Sequence, residues 1–151
     1  MNRYGLTFHH FGLAAKQPDK AVAFLKSLGY SIGVSVLDDL QNVNLLLCRH
    51  DAMPAIEIIS PVRNGAPSPL DTFLKTSPAL VYHLCFDCGD VQGSVAAMEN
   101  DRHQVVCVSE PKPAVLFGGR EVSFYRISGF GLVELLGPAK TAQPHCRPVS
   151  P

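Results

Sequence analysis

Residues 8–15 read FHHFGLAA and residues 80–88 read LVYHLCFDC, and each stretch is the opening half of a matched pair. The first is answered by AIEIISPV at residues 55–62, the second by GLVELLGP at residues 131–138. In both pairs a histidine opens the unit from inside an apolar run and a glutamate closes it. Glu57 follows His10 by 47 residues and Glu134 follows His83 by 51. A lone histidine or glutamate at a strand centre is most often a hydrogen-bonded core residue. Two of each at corresponding places of a duplicated unit are hard to explain by independent packing needs, and the duplication therefore points to chemistry.

The elements between them repeat as well. In the first half residues 7–15 read as a strand, and Gln17-Pro18-Asp19 starts a helix with proline in its first turn. Ala21, Val22, Phe24, Leu25 and Leu28 give that helix an apolar stripe, which Gly29 ends. Strands follow near residues 30–37, 43–49 and 55–62, separated by Asp38-Asp39 and by the segment around Met53-Pro54. Residues 63–78, rich in Pro, Gly and Ser, form a linker with a short helix over 68–74. The second half starts over: a strand at 79–88, a helix behind Asp90 with Val91, Val95, Ala96 and Met98 on its apolar stripe, then strands near 103–109, 121–127 and 131–136. The expectation is an α+β fold of two βαβββ modules, residues 7–62 and 79–137, in one domain over 1–137. Residues 138–151 read as a polar, proline-rich tail, with His145 and Cys146 outside any site.

With 151 residues and 46% hydrophobic content the chain can bury one core. Thirteen basic and thirteen acidic side chains cancel, which argues against a nucleic-acid track or a polybasic membrane patch and leaves a small molecule as the expected partner. The opening residues lack a signal-peptide core and no run reaches the ~18 apolar residues of a membrane span, so a cytoplasmic protein is expected. The five cysteines are an odd set without framework spacing. Cys85 and Cys88 spell C-x-x-C, but on a strand they point to opposite faces, and buried structural thiols are the expectation.

Alternation assigns the faces. His10 goes with Phe8 and Gly12, while His9, Phe11 and Leu13 face the other way. Ile56 and Ile58 turn to the helix and leave Glu57 on the opposite side; Val133 and Leu135 isolate Glu134 in the same way. A glutamate in so apolar a strand is costly to bury unpaired, so each needs a metal, a cation or an open cleft. Two imidazoles and two carboxylates suit one divalent metal ion: zinc, nickel, cobalt, manganese or iron.

The stretches HHFGLAA, AIEIISPV, SPLDTFLK, YHLCFD and GFGLVELLG, in that order over residues 7–137, resemble the vicinal oxygen chelate superfamily, the glyoxalase, bleomycin-resistance protein and extradiol dioxygenase group. Within it the chain looks most like the methylmalonyl-CoA epimerase and glyoxalase-like branch. The resemblance implies a curled mixed sheet around a shared metal cleft, with His10, Glu57, His83 and Glu134 as ligands, and a homodimer. It further implies a metal-dependent isomerase, epimerase or glyoxalase-type lyase that stabilises an enolate of a small carbonyl compound or acyl thioester. A full two-His, two-Glu set argues against the dioxygenases and the metal-free binders of the group. The epimerase pattern places a catalytic glutamate on the third strand of the first module, where Asn44 stands, and asparagine is no general base. Similarity to glyoxalase offers another route, in which Glu57 or Glu134 leaves the metal and takes the proton. The alternative function is a non-catalytic small-molecule or antibiotic-binding protein of the same fold; thiol transfer to an antibiotic is a third. Asn44, Phe117 and Arg120 are the expected substrate contacts, the last two in Phe117-Gly118-Gly119-Arg120, where glycines admit backbone to a ligand and the arginine grips an anion. A plain tight turn with a solvated arginine is the competing reading of that segment. Tyr125 and Arg126 face opposite ways, so at most one serves the cleft.

Overall fold

Apolar alternation makes strands of both histidine stretches, and those two strands pair with each other. A computed structural model of the protein describes residues 2–139. In chain order the elements are β1 (Leu6–Ala15), α1 (Pro18–Ser27), β2 (Ser31–Ile32), β3 (Val36–Asp38), β4 (Val43–Arg49), β5 (Ala55–Pro61) and α2 (Asp71–Leu74). The second half supplies β6 (Ala79–Cys88), α3 (Val91–Asn100), β7 (Val105–Pro113), a single 3-10 turn (Val115–Phe117), β8 (Glu121–Ile127) and β9 (Gly131–Leu136). Among the described residues nine strands form one mixed sheet, in the order β2-β4-β5-β1-β6-β9-β8-β7 with β3 also on β4. β1 and β6 run antiparallel at the centre, and each has its own module's last strand, β5 or β9, parallel on its outer side.

The two faces carry different layers. Ile58, Cys48 and Ala15 pack with Leu25 of α1, and Val133, Leu135 and Cys88 pack with Val91 and Val95 of α3, so both long helices lie on one side. On the other side Ala14, Val43, Leu45 and Ile59 meet Leu70 and Leu74, while Cys85, Val122, Phe124 and Leu136 meet Ala114 and Phe117. That second face is thus roofed by the segment leading into α2 and by the 3-10 turn.

Three boundaries differ from the sequence reading. The strand expected at 30–37 is two short strands, both on β4. Between them the Gly33 N–H donates to the Leu47 carbonyl at 3.0 Å. A Cβ at residue 33 would stand 2.6 Å from that oxygen, so the close approach requires glycine. β7 extends to Pro113, with irregular pairing to β8 between Cys107 and Lys112. It is an edge strand, where Pro111 and Pro113 are tolerated. The linker helix forms only over Asp71–Leu74. Residues 140–151 of the expected tail, His145 and Cys146 among them, lie outside the described residues. No helix among the described residues is long and apolar enough to cross a membrane.

Candidate metal centre

The central strand pair breaks register twice, and both breaks matter. Phe8 pairs with Phe86 and His10 with Cys85, which leaves His9 without an opposite number; Gly12 pairs with His83 and Leu13 with Val81, which does the same to Tyr82. Each is a β-bulge at the residue preceding a candidate ligand, one in each module. The extra residue cancels the alternation locally. His9, which strict alternation turns away from His10, instead brings its Nδ1 to 2.7 Å from His10 Nδ1, and its ring joins the same side of the sheet. Tyr82 likewise lines the same pocket as His83.

The pairings Gly12 with Glu57 and Cys85 with Glu134 bring the two closing glutamates level with the two histidines. His10, Glu57, His83 and Glu134 are all buried, and their ligand atoms lie within 4.8 Å of one another. His10 Nε2 is 3.3 Å from His83 Nε2, 3.5 Å from Glu57 Oε2 and 3.4 Å from Glu134 Oε2. His83 Nε2 is 3.7 Å from Glu57 Oε2 and 3.1 Å from Glu134 Oε2. Donors about 2.1 Å from one ion stand about 3.0 Å apart at right angles and about 3.4 Å apart in a tetrahedron, so these separations are those of a first-row coordination sphere. The charges agree: two buried carboxylates beside neutral imidazoles leave a double negative charge that a divalent cation cancels. Buried Glu134 Oε2 and His83 Nδ1 have no hydrogen-bond partner in the protein. The donor set therefore fits a divalent metal.

Without a cation the pair leans on itself. Burial pushes the His83 imidazolium down, but Glu134 and Glu57 outweigh it and the net shift is upward. Burial pushes the Glu134 carboxyl up, and the His83 imidazole outweighs that, so it ends below its ordinary value. Burial first, and the Glu134 carboxylate second, push the Cys85 thiol far up. The His83 ring lies flat on β1, and only glycine leaves it room: a Cβ at residue 12 would be 2.3 Å from His83 Cε1.

Of the expected substrate contacts the structure brings one to the site. Phe117, on the 3-10 turn, stacks on His10 with ring centres 5.5 Å apart and an angle of 29°. Asn44 is a correction. Antiparallel partners share a face, and Leu47 pairs with Glu57, so Val43, Leu45 and Leu47 share that face while Asn44, opposite Ser60, points to the helix side beside Lys16 and Arg63. A one-residue step in register decides it. Arg120 pairs its guanidinium with Asp87 at 2.6 Å and donates to the Gly137 and Leu136 carbonyls, tying the segment after the 3-10 turn to the ends of β6 and β9. Asp38 was missed. It is buried, faces the cleft opposite Val43, and accepts from the Leu40 and Gln41 backbone N–H groups and the Gln41 amide. Its sequence signal, Asp-Asp at a turn, is that of any cap. Above the four residues remains a cavity of about 20 Å³, room for one or two water molecules, walled by Leu45, Ile59, Leu70, Leu116, Phe124 and their neighbours.

The family model of the Glyoxalase/Bleomycin resistance protein/Dioxygenase superfamily matches residues 9–124. Among solved structures the fold is similar to methylmalonyl-CoA epimerase from Mycobacterium tuberculosis, at 18% identity over 93% of either chain with a TM-score of 0.74. It is also similar to a variant of the Streptomyces coelicolor methylmalonyl-CoA epimerase in complex with 2-nitronate-propionyl-CoA, at 21% identity over 89% of this chain and 99% of that one, TM-score 0.67. No curated protein sequence matches.

Proposed function

Since the chain belongs to the glyoxalase, bleomycin resistance protein and dioxygenase superfamily, we propose that it is a divalent-metal-dependent isomerase or epimerase that moves a proton next to the carbonyl of a small carbonyl compound or acyl thioester. The observation that carries the reading is the buried set His10, Glu57, His83 and Glu134 with its coordination-like spacing. The epimerase structures of the same fold agree with it in reaction type.

A bound divalent cation would supply Lewis acidity, which stabilises negative charge on a carbonyl oxygen as the neighbouring carbon loses its proton. His10 and His83 would hold it through Nε2. Glu134 is the anchored carboxylate, closer to both imidazoles, at 3.4 and 3.1 Å. Glu57 stands farther from both imidazoles, at 3.5 and 3.7 Å. It is the carboxylate free to swing, take the proton and return it. No second base faces it from β4, where Val43, Leu45 and Leu47 occupy the cleft side. Glu57 is thus the carboxylate assigned to take the proton and return it, and Glu134 and Asp38 are the other carboxylates on the cleft. Leu116 and Phe117 above and Leu70 beside the cavity exclude water from the carbanion. The roof must part to admit anything larger than water.

The same apolar β4 face favours a second reading, a binder that sequesters a small molecule without turnover. Elemental mass spectrometry of wild type beside His10→Ala/His83→Ala, followed by proton-NMR exchange of α-hydroxy carbonyls and acyl thioesters in D2O, separates the two. Near-stoichiometric metal lost in the double variant, with exchange abolished in Glu57→Gln while its metal is retained, supports the enzyme. Metal-independent ligand binding without exchange moves the binder to first place, and wild type free of metal after reconstitution overturns the ligand assignment.

A further inference from the structure

We propose that His9 is a positioning residue for His10: through the bulge in β1 it accepts a hydrogen bond from His10 Nδ1 and so fixes the tautomer and angle of the ring that faces the centre. The inference rests on reading the four buried residues as a metal centre. His10 meets His83, Glu57 and Glu134 through Nε2 alone. A neutral imidazole carries one proton, and a ligating Nε2 must be bare, so the proton sits on Nδ1 and needs an acceptor. That acceptor is His9 Nδ1, 2.7 Å away. The bond works in one sense only: His10 donates, and His9 holds its own proton on Nε2. The Cys85 sulfur also lies near this pair and is only a weak acceptor beside an imidazole nitrogen.

The bulge is what makes the contact, since regular alternation would put the two rings on opposite faces. Phe117 then holds the brace from outside, its ring edge-on to His9 at 5.1 Å and stacked on His10. The second module differs at the matching place. Its bulge carries Tyr82, whose ring packs on His83 at 5.5 Å, and His83 Nδ1 has no protein partner. The two imidazoles are thus held by different means, His10 by a hydrogen bond and His83 by the space over Gly12.

The competing account is that His9 only fills space beneath Phe117. His9→Leu keeps that bulk and removes the acceptor, whereas His9→Asn keeps an acceptor near the place of Nδ1 and removes bulk. Metal-free wild type and both variants, checked for fold by circular dichroism, are titrated with cobalt(II) against a competing chelator. We expect about 10- to 100-fold weaker binding in His9→Leu and binding within about threefold of wild type in His9→Asn. Nitrogen-15 NMR of zinc-loaded wild type should show His10 protonated on Nδ1 with contacts to His9, and this decides the matter should a variant fail to fold. Equal affinity in all three, loss in Asn with retention in Leu, or a His10 proton on Nε2 overturns the inference while leaving the metal centre standing. Wild type that takes up no metal overturns both.

Discussion

Gly12→Ala is expected to disable the centre without touching a ligand. Gly12 is not among the glycines with positive φ, so alanine fits the backbone and the effect is steric. The new methyl carbon would sit 2.3 Å from His83 Cε1 and 2.5 Å from both ring nitrogens. Carbon atoms rest about 3.5–4.0 Å apart, so the ring must retreat by at least about 1.2 Å, whereas ligand distances tolerate about 0.2 Å. A displacement of that size costs on the order of 100-fold in a geometry-dependent interaction, and cobalt(II) affinity should fall by about that factor. Overpacking should also lower the stability of the metal-free protein by about 1–3 kcal/mol. A double-mutant cycle isolates the cause: on a His83→Ala background the same substitution should cost almost nothing, because the ring it strikes is gone. Metal affinity in Gly12→Ala within threefold of wild type, or an undiminished stability loss on the His83→Ala background, would refute the steric reasoning.

Metal-free stability should follow the opposite pH trend from metal binding. His83, raised above its ordinary 6.5, contributes stability below that value that fades as pH rises through its shifted one; Glu134, lowered below its ordinary 4.5, contributes above 4.5 and loses it as pH falls. The melting temperature of the metal-free protein should therefore peak in weak acid and decline toward pH 8, while stabilisation by added zinc grows over the same range, since ligation needs neutral imidazole; parallel trends would contradict the pairing. Alkylation of the native protein at pH 8, read by peptide mapping, should label exposed Cys107 and spare buried Cys48, Cys85 and Cys88; Cys85 reacting as fast as Cys107 would mean that the cleft is open. Asn44→Ala should leave metal affinity within about twofold, and Arg120→Ala should lower stability by about 1–3 kcal/mol by freeing Asp87 and two carbonyls, again without moving metal affinity; a tenfold affinity change in either would return that residue to the site.

What the sequence showed clearly was whatever depends on period-two alternation in uninterrupted strands. Ile56-Glu57-Ile58 and Val133-Glu134-Leu135 are regular, and their glutamates leave the helix layer as the pattern demands. His9 was misread, and Tyr82 went unremarked, because a bulge adds one residue without changing composition, so no local signal marks it. Asn44 failed for a related reason: in VNLLLCRH the stretch Leu45-Leu46-Leu47-Cys48 is apolar without a break, and such a run gives no parity from which to choose a face. Arg120 and Asp38 depended on partners distant in sequence or on a turn geometry shared with ordinary caps.

The antiparallel seam of β1 and β6 joins residues 73 positions apart, as His10 and His83 are. Closing a loop of that length costs somewhat more entropy than closing the shorter loop inside either module. Each module can assemble its own parallel pair, β1 with β5 or β6 with β9, from shorter loops. An ion gripped by both modules would then act as a rivet, drawn in once the halves dock and slowing their separation afterwards. In that sense the bound ion would hold shut the junction with the longest loop to close.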